Sequence, residues 1–232
     1  MTWSVEEAVV LAGGLGTRLR PVVHDVPKPL APVGGRPFLA YVLKKLRREG
    51  LRRVIMATGY GSSRVEAAFG NEHEGLEIVY SREAVPLGTG GALWQALAHC
   101  EGTKVFVLNG DTYFDLDLVA MSGAPACDVL VAVRPVADRT RYGSVRLEGR
   151  RITAFGEKGT TGAGLVNAGT YLVRRDLASR LPRPAPFSFE RDILELELER
   201  LAVEAYASEA AFVDIGTPED FARAQDILPT WT

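Results

Sequence analysis

Cysteine and histidine are both scarce in this chain. It has two cysteines, Cys100 and Cys127, and three histidines, and none of them forms a CxxC pair or a Cys/His cluster at metal-binding spacing. The sequence therefore predicts neither a disulfide framework nor a zinc site. Both cysteines lie beside apolar segments, and we expect them to be inert thiols in a reducing cytosol.

The chain also lacks an excess of positive charge and a long apolar run. Its 27 Lys and Arg residues are balanced by 29 Asp and Glu residues, a net charge of −2. This balance argues against a surface dedicated to nucleic acid or to a membrane. No apolar stretch reaches the roughly 18 residues of a membrane helix, and no signal-peptide pattern is present. We expect a cytoplasmic protein that binds no nucleic acid and does not insert into membranes.

The composition is that of an ordinary globular protein, with 47% hydrophobic and 24% charged residues. A length of 232 residues favours a single domain. The predicted secondary-structure pattern changes along the chain and divides this domain into a first half, about residues 1–112, and a second half, about residues 113–232. The sequence leaves the formation of a homodimer open.

Short apolar runs alternate with segments of helical spacing in the first half. The predicted strands are Val9–Ala12, Val54–Ala57, Leu76–Tyr80 and Val105–Leu108. The predicted helices are Phe38–Glu49, Arg64–Phe69 and Ala92–His99. This order predicts parallel βαβ units covered by helices on both faces. Ligands of such sheets bind beyond the carboxyl ends of the strands, so the loops after Ala12, Tyr80 and Leu108 are candidates.

The second half predicts strands separated by turns rather than by long helices. These strands are Val129–Val133, Ser144–Leu147, Ile152–Phe155 and Thr170–Val173. The segment Glu190–Glu204 alternates like a strand in part, but its length and residue types favour a helix. A last helix is predicted to begin near Pro218, with Thr217 as its cap. The whole chain is therefore expected to be an α/β protein with a mixed, mostly parallel central sheet.

The loop after the first strand is rich in glycine and reads LAGGLGTRLRP from Leu11 to Pro21. Three glycines in four positions allow backbone N–H groups to point at an anion. A Walker A loop would need Gly-Lys-Ser/Thr, and a Rossmann fingerprint would need glycine in place of Leu19. Both alternatives fail, which leaves a phosphate-binding loop whose Arg18 can bridge two phosphoryl groups.

A second basic residue follows ten positions later, where Lys28 stands between Pro27 and Pro29. The prolines stiffen the segment, and we expect Lys28 to project from an extended backbone that cannot continue as a helix. The lysine carries little weight alone but supports the phosphate site when it is combined with the glycine loop.

Together, LAGGLGTRLRP and PKPLAPVGGRP resemble the signature of sugar-1-phosphate nucleotidyltransferases, and later motifs follow in that family's order. The resemblance covers nearly the whole chain. It implies a Rossmann-like three-layer α/β/α fold, a nucleotide-binding first half and a sugar-binding second half. It also implies that Arg18 and Lys28 hold the phosphates around the reacting centre. The nucleotide-binding residues that it implies in the loops are Leu11, Ala12, Gly13, Gly14, Gly16, Thr17, Gly88 and Thr89.

Glu83, in the loop after Tyr80, is the candidate base-reading residue. Related thymidylyl- and uridylyltransferases usually have a glutamine at the matching position, which can both donate and accept. A carboxylate only accepts, and it matches the adjacent N1–H and N2–H donors of guanine. A carbonyl of uracil or thymine would face it unfavourably, at a cost of about 1–3 kcal/mol. Glu83 therefore favours GTP, provided that it faces the base.

Two aspartates are candidate metal ligands. Asp111 follows a predicted buried strand in Asn109-Gly110-Asp111, and Asp214 stands in Val213-Asp214-Ile215-Gly216. Each alone is equally well explained as a turn or cap residue. The resemblance implies that the two together coordinate Mg²⁺, which keeps several waters and needs few protein ligands.

The resemblance also implies a sugar-phosphate site between these aspartates. Its residues are Tyr142, Gly143, Glu157, Lys158 and Asn167. Glu157 can accept from sugar hydroxyls, Lys158 can neutralise the sugar phosphate, and Asn167 can donate and accept. The family often has the sequence Glu-Lys-Pro at this point, whereas Glu157 and Lys158 of this chain are followed by Gly159. We expect glycine in place of proline to make this loop less rigid.

These parts predict transfer of a nucleoside monophosphate to a sugar 1-phosphate, with Arg18, Lys28, Asp111 and Lys158 as catalytic residues. The segments PLGTGGAL, RYGSV and GLVNAGTYLV resemble most the D-glycero-α-D-manno-heptose 1-phosphate guanylyltransferases of capsule or surface-polysaccharide synthesis. Mannose 1-phosphate guanylyltransferases and uridylyl- or thymidylyltransferases of the same fold remain alternatives. A catalytically silent nucleotide-sugar sensor is an alternative of another class, although it should have lost the charged residues. A GTP-binding switch protein is a further alternative, but it would need the Gly-Lys-Ser/Thr motif, which this chain lacks.

Overall fold

The computed structural model describes residues 5–14, 16, 19, 21–23, 26–156 and 159–231. Thr17, Arg18, Glu157 and Lys158, four of the candidate site residues, therefore lie outside the described residues. Within the described part of the chain, no helix has the length and apolar character needed to span a membrane.

The secondary structure follows the predicted pattern, with short elements added. The strands up to Phe114 are β1 (Glu7–Leu11), β2 (Pro32–Val33), β3 (Arg36–Pro37), β4 (Arg53–Thr58), β5 (Glu72–His73), β6 (Leu76–Arg82), β7 (Lys104–Asn109) and β8 (Thr112–Phe114). The later strands are β9 (Val129–Val136), β10 (Ser144–Glu148), β11 (Arg151–Gly156), β12 (Gly164–Arg174), β13 (Val203–Ala207) and β14 (Phe212–Asp214). The helices are α1 (Phe38–Arg48), α2 (Ser62–Phe69), α3 (Gly88–Leu97), α4 (Leu118–Ser122), α5 (Leu177–Arg180), α6 (Pro218–Trp231), a 3₁₀ helix (Lys28–Leu30) and a π-helix (Phe189–Glu195).

One mixed sheet contains strands of both halves, in the order β10-β11-β13-β9-β12-β7-β1-β4-β6-β5. The α/β class and the mixed sheet are confirmed. Strands β7, β1, β4 and β6 are parallel, as the βαβ pattern predicts. Within the described sheet, however, six of the ten pairings are antiparallel. The expectation of a mostly parallel sheet therefore holds only for the first half, because β12 runs antiparallel to β7, β9 and β10.

Five strands of the second half pair in a closed ring, which the sequence did not predict. β9 pairs with β12, β12 with β10, β10 with β11, β11 with β13, and β13 with β9. The ring depends on β12, whose register on β9 shifts between Asn167 and Tyr171, where Gly169 has a φ of +68°. Such an irregularity bends a strand. The first part of β12 consequently pairs with β10, and its last part pairs with β7.

The residues of β1 alternate between two hydrophobic clusters, one on each face of the sheet. Ala8 and Val10 belong to a cluster that includes buried side chains of α1, α2 and α6. Val9 belongs to a second cluster, which includes buried side chains of α3 and of the π-helix. Helices thus cover both faces of the parallel strands, and the carboxyl ends of those strands stay free for ligands.

Two expectations about local structure near the ligand edge were wrong. Lys28 does not lie in extended backbone but begins the 3₁₀ helix, in which Leu30 N donates to Pro27 O at 2.8 Å. Proline is tolerated there because the first N–H groups of a helix have no partner inside it. Helix α3 begins at Gly88 rather than at Ala92, so the glycines form its first turn.

The C-terminal third confirms one helix and resolves an ambiguity. α6 begins at Pro218, and Asp220 N donates to Thr217 Oγ1 at 3.3 Å, as expected for a cap. The segment from Glu190 to Glu204 is helical only at its start, where the π-helix ends at Glu195. Turns follow, and β13 begins at Val203, a strand that the alternating pattern did not locate.

Candidate functional site

A cleft of about 620 Å³ lies at the carboxyl ends of the parallel strands. All three predicted loops contribute to it, together with Gly59 and Tyr60 after β4. Its remaining lining residues are Leu11, Ala12, Gly13, Gly14, Lys28, Pro29, Ala57, Glu83, Ala84, Val85, Pro86, Gly88, Thr89, Ala92, Asn109, Gly110, Asp111 and Glu190. The structure therefore brings together most of the described residues that were predicted to bind the nucleotide.

The glycines of the first loop differ in how closely they are packed. A Cβ at Gly13 would overlap Glu83 Oε1 and lie 3.2 Å from Gly59 N. Gly16 has a φ of +60°, and a Cβ there would lie 3.0 Å from Lys28 Cβ. Gly14 would meet nothing within 4 Å, so its position faces open space. The loop therefore packs closely against Glu83 and Lys28 and leaves room at Gly14.

Lys28 and Asp111 form an ion pair at the cleft. Lys28 Nζ lies 2.5 Å from Asp111 Oδ2, and the lysine side chain is only 11% exposed. Asp111 Oδ1 accepts from Thr112 Oγ1 at 3.2 Å. Two charged residues that were predicted separately are thus in direct contact.

The pairing of β8 with β14 brings Asp214 beside Asp111. Asp214 is the register partner of Thr112, and Ile215 N donates to Asp111 O at 2.9 Å. Asp214 Oδ1 also accepts from Gly216 N. The structure thus places the two candidate metal ligands on neighbouring backbone segments, although 103 positions separate them in the sequence.

Glu83 faces the cleft from the end of β6. Its backbone N donates to Thr58 O at 2.8 Å, and its Oε2 accepts from Leu87 N at 2.8 Å. Its Oε1 points toward Gly13, where a Cβ would overlap it. One carboxylate oxygen is therefore held by the loop, and the other lies beside the glycine loop in the cleft.

The first turn of α3 is fastened by a segment from the second half of the chain. Gly90 N donates to Phe187 O at 2.9 Å, and Phe189 N donates to Thr89 Oγ1 at 2.9 Å. A Cβ at Gly90 would overlap the Phe187 ring. Gly90 is therefore required by this packing. Gly88 and Thr89 do line the cleft.

A second pocket, of about 310 Å³, adjoins the cleft and shares Asn109 and Glu190 with it. The predicted sugar-site residues Tyr142, Gly143 and Asn167 all line it. Its other lining residues are Thr112, Ser144, Phe155, Gly156, Ala168, Gly169, Tyr171, Glu195, Phe212 and Asp214. Carboxylates, an amide and aromatic rings together suit a molecule that carries both hydroxyl groups and an apolar face.

Asn167 is oriented by its own strand. Its Oδ1 accepts from Gly169 N at 3.0 Å, and its Nδ2 donates to Tyr171 OH at 2.9 Å. Burial raises the pKa of the Tyr171 phenol well above its ordinary value, so this hydroxyl keeps its proton. A Cβ at Gly169 would lie 2.6 Å from Asn109 Nδ2, which explains the glycine in Asn-Ala-Gly.

Sequence reasoning missed three residues of the site: Asn109, Tyr171 and Glu190. Asn109 directly precedes the predicted Gly110-Asp111 and could have been found from that position. Tyr171 lies on a predicted strand with no sign that its hydroxyl faces a pocket. Glu190 belongs to no motif, and only its contacts with Thr89 and Tyr171 reveal it.

The loop that carries Tyr142 and Gly143 is tied to the start of α6. Arg141 Nη1 donates to Asp220 Oδ1 at 3.0 Å, and Arg141 Nη2 donates to Thr217 Oγ1 at 2.9 Å. Asp220 is only 3% exposed. This ion pair between a buried carboxylate and a partly exposed guanidinium holds the pocket wall against the segment that follows Asp214.

Comparison with known proteins gives consistent matches along the whole chain. A model of the nucleotidyl transferase family matches residues 7–230. The D-glycero-alpha-D-manno-heptose 1-phosphate guanylyltransferase of Aneurinibacillus thermoaerophilus is 40% identical over 225 residues, which are 96% of this chain and 98% of that relative. The mannose-1-phosphate guanylyltransferase of Mycobacterium tuberculosis is 35% identical over 94% of this chain, which spans only 63% of that relative.

A solved structure extends the similarity to three dimensions. The crystal structure of HddC from Yersinia pseudotuberculosis complexed with GMP-PN matches with a TM-score of 0.86 and 34% sequence identity. The match covers 96% of this chain and 99% of that chain.

Proposed function

Since the chain belongs to the nucleotidyl transferase family, we propose that it transfers GMP from GTP to D-glycero-α-D-manno-heptose 1-phosphate and releases pyrophosphate. The observation that carries this proposal is the junction of two cavities, which share Asn109 and Glu190, with Asp111 in the lining of the cleft. A nucleotide in the cleft and a sugar phosphate in the pocket would meet there with their phosphates together.

Glu83 supports GTP as the nucleotide. It lines the cleft, and its Oε1 lies beside Gly13. A carboxylate can accept two parallel hydrogen bonds from the N1–H and N2–H groups of guanine but has no donor for uracil or thymine. Binding of GMP-PN by the Yersinia relative is consistent with the same nucleotide.

The reaction requires two anions to approach each other. An oxygen of the sugar phosphate attacks the α-phosphorus of GTP and forms a new P–O bond. The bond from that phosphorus to the bridging oxygen breaks, and the bridging oxygen leaves with pyrophosphate. No general base is needed because the attacking phosphate oxygen is already deprotonated at neutral pH. Positioning and charge neutralisation therefore dominate.

Basic residues around the junction would neutralise the negative charge of the phosphates. Lys28 is held there by Asp111, and it packs so near Gly16 that a Cβ at that glycine would lie 3.0 Å from Lys28 Cβ. Arg18 and Lys158 are proposed for the pyrophosphate and the incoming sugar phosphate, respectively. Thr17 is proposed to bind the nucleotide and Glu157 the sugar hydroxyls.

The donor set fits Mg²⁺. Two carboxylates, Asp111 and Asp214, lie on paired segments, and hard oxygen ligands in small number are what Mg²⁺ requires. Mg²⁺ would screen the negative charge of the phosphates when bound. Asp111 also holds Lys28, so this carboxylate would orient a basic residue as well as bind the metal.

The identity of the sugar rests on the relatives. The heptose enzyme from Aneurinibacillus matches this chain over nearly its full length. Mannose 1-phosphate is the second candidate, because the Mycobacterium enzyme shares 35% identity. Uridylyl or thymidylyl transfer is opposed by Glu83, and a silent sensor is opposed by the retention of Lys28, Asp111 and Asp214.

The remaining proposals concern the protein as a whole. We infer a single domain, supported by the sheet that joins both halves, and a Rossmann-like three-layer arrangement, supported by helices on both sheet faces. Use of GTP supports a cytoplasmic location, and the heptose product supports a role in capsule or surface-polysaccharide synthesis. Homodimer formation stays a hypothesis for solution measurement.

The experiment that tests the function is a pyrophosphate-release assay with GTP, UTP, dTTP, CTP and ATP. Each is paired with heptose, mannose, glucose or N-acetylmuramate 1-phosphate in the presence of Mg²⁺. We expect the highest kcat/KM for GTP with the heptose. Higher kcat/KM with UTP or dTTP would overturn the guanine assignment, and inactivity with every pair would favour the sensor.

A further inference from the structure

A cavity of about 480 Å³ lies at the edge of the sheet opposite the cleft. We call it the amino-end cavity, and its lining residues are Thr103, Lys104, Ala126, Cys127, Asp128, Arg174, Arg175, Asp176 and Ala202. Lys104 begins β7, and Asn109, which lines the cleft, ends the same strand. At about 3.3 Å per residue, Lys104 and Asn109 are roughly 17 Å apart. The amino-end cavity is therefore distinct from the cleft.

Three basic residues meet at this cavity because β7 and β12 are antiparallel neighbours. Lys104 and Arg174 are register partners at the ends of the two strands. Arg175 N donates to Thr103 O at 2.9 Å, which holds the residue after β12 beside the start of β7. Backbone pairing, rather than a loop, thus brings Lys104, Arg174 and Arg175 together.

Both carboxylates that line the cavity are bonded to arginines. Arg174 Nε donates to Asp176 Oδ1 at 2.9 Å. Arg180 Nη1 donates to Asp128 Oδ1, and Asp128 Oδ2 accepts from Ala202 N at 2.9 Å. The negative charges of the cavity are therefore already matched by two of its neighbouring guanidinium groups.

Lys104 and Arg175 are the cations of the cavity that have no such match. Neither has an ion-pair partner among the residues that the structure describes. Arg175 Nη1 donates to Cys100 O at 2.6 Å, a contact that orients the guanidinium without neutralising it. Lys104 is half-buried, so protein replaces part of the water that would solvate its charge. An anion bound between these two side chains would supply the missing negative charge.

The charge and the size of the cavity favour a phosphate group. A phosphate monoester carries about 1.5 to 2 negative charges at neutral pH, which matches two cations. Its oxygens can accept from an arginine in a bidentate manner and from a lysine as well. The volume exceeds that of a phosphate ion and lies within the range of small-molecule sites. Thr103, Lys104 and Ala126 also line an adjoining cavity of about 860 Å³, which leaves room for an organic group.

We propose that the amino-end cavity is an anion-binding site, in which Lys104 and Arg175 bind the phosphate group of a small phosphorylated metabolite or free inorganic phosphate. The site shares no lining residue with the cleft or with the second pocket. Its existence therefore does not depend on the proposed function, and either can fail without the other.

Cys127 provides a local readout, because its half-buried thiol lines the cavity whereas Cys100 is only 3% exposed. Burial raises the pKa of the Cys127 thiol to about 11, and the charge of Lys104 opposes that rise. A bound phosphate would cover the thiol and offset the charge of Lys104, so alkylation should become slower. The test measures the rate at which iodoacetamide alkylates Cys127, by peptide mass spectrometry, at rising concentrations of mannose 6-phosphate, inorganic phosphate or mannose.

For the wild-type chain we expect mannose 6-phosphate to slow the alkylation of Cys127 roughly fivefold or more, and mannose to have no effect. Arg175→Gln and Lys104→Met should each raise the concentration for half-maximal protection about tenfold or more, because each removes a charge-assisted hydrogen bond. Arg146→Gln and Lys44→Met make the same exchanges at exposed positions outside the cavity and should leave that concentration unchanged.

The two phosphate probes distinguish the sources of the anion. Protection by mannose 6-phosphate at lower concentrations than inorganic phosphate assigns the site to a phosphate ester, and equal concentrations assign it to free phosphate. Lys28→Met, a change in the cleft, should keep the wild-type protection. Loss of protection in Lys28→Met would move the bound anion to the cleft and overturn the proposal.

Three other results would also overturn it: protection by mannose alone, a wild-type rate that neither phosphate probe changes, and full protection in both Arg175→Gln and Lys104→Met. If one of these variants fails to fold, the other decides. If Cys127 does not react even without a probe, the melting temperature decides. Mannose 6-phosphate should then raise the melting temperature of the wild type and of Arg146→Gln more than that of Arg175→Gln. Equal rises in all three would contradict the anion site.

Discussion

Lys28 Nζ and Asp111 Oδ2 lie 2.5 Å apart although 83 positions separate them in the sequence. Lys28 begins the 3₁₀ helix after the glycine loop, and Asp111 follows β7. Gly16 allows the lysine to approach, since a Cβ there would lie 3.0 Å from Lys28 Cβ. The pair thus ties the proposed phosphate-binding loop to the proposed metal-binding loop.

Loss of the Asp111 charge should stop turnover without unfolding the chain. Asp111→Asn keeps the size of the side chain and leaves an oxygen for Lys28, but it removes the negative charge proposed to hold Mg²⁺. We expect kcat to fall roughly 100-fold or more. Circular dichroism and the melting temperature should be nearly unchanged.

Asp226→Asn on the exposed side of α6 is the matched control and should retain full activity. Near-normal turnover of Asp111→Asn across a range of Mg²⁺ concentrations would remove Asp111 from the site.

Lys28 should contribute to turnover through its charge. Lys28→Met keeps a flexible side chain but removes the cation beside the proposed triphosphate. We expect kcat/KM for GTP to fall roughly 100-fold, measured by pyrophosphate release. Lys44→Met, on the exposed side of α1, makes the same change away from the cleft and should leave kcat/KM within about twofold. Equal losses in both variants would assign the effect to general electrostatics.

Glu83 should set the nucleotide preference. Glu83→Gln replaces an acceptor by a group that can also donate, so guanine should lose one favourable bond and uracil should gain one. We expect the ratio of kcat/KM for GTP over UTP to fall about tenfold or more.

Glu74→Gln, the same exchange at an exposed turn residue, serves as the control and should leave the ratio of kcat/KM for GTP over UTP unchanged. An unaltered ratio in Glu83→Gln would mean that another group reads the base.

Gly90 should be required for stability. A methyl group there would overlap the ring of Phe187, which is 6% exposed and packed in the core. We expect Gly90→Ala to lower the free energy of unfolding by about 1–3 kcal/mol in urea denaturation. Gly123→Ala is the comparison, because its nearest contact would be an ordinary 3.5 Å from Ala120 O. A Gly90→Ala chain as stable as the Gly123→Ala chain would contradict the packing argument.

Lys45 should make stability depend on pH in the alkaline range. It is 2% exposed and donates to Leu116 O at 2.8 Å, and burial lowers its pKa to about 8. The unfolded chain, with a pKa near 10.5, binds more protons than the folded chain between about pH 8 and 10.5. The contribution of Lys45 to the free energy of unfolding therefore rises with pH across that window, by on the order of 1–3 kcal/mol. Below about pH 8 this contribution does not change with pH.

The free energy of unfolding is measured as a function of pH for the wild type and for Lys45→Met, and the difference between the two profiles isolates this contribution. Parallel profiles in urea titrations at pH 7.5, 8.5 and 9.5 would rule out the effect.

Much of the site follows from short sequence patterns because its parts are local. The glycine loop, Glu83 and Asp111 each follow a strand of the parallel sheet, and the carboxyl ends of such strands always meet at one edge. That rule was enough to place them around one ligand. Tyr142, Gly143 and Asn167 needed the family resemblance as well, because turns and single polar residues in a mixed sheet have no comparable rule.

What the sequence by itself determined is therefore the α/β class, the main strands and helices, and the chemical character of the ligand edge. Tertiary structure alone decided the closed ring of strands, the contact of Lys28 with Asp111 and the position of Glu190. Glu190 stands in an unremarkable segment, 101 positions from its partner Thr89. Its place depends on how the π-helix packs against α3, and long-range packing of this kind leaves no periodic signal along the chain.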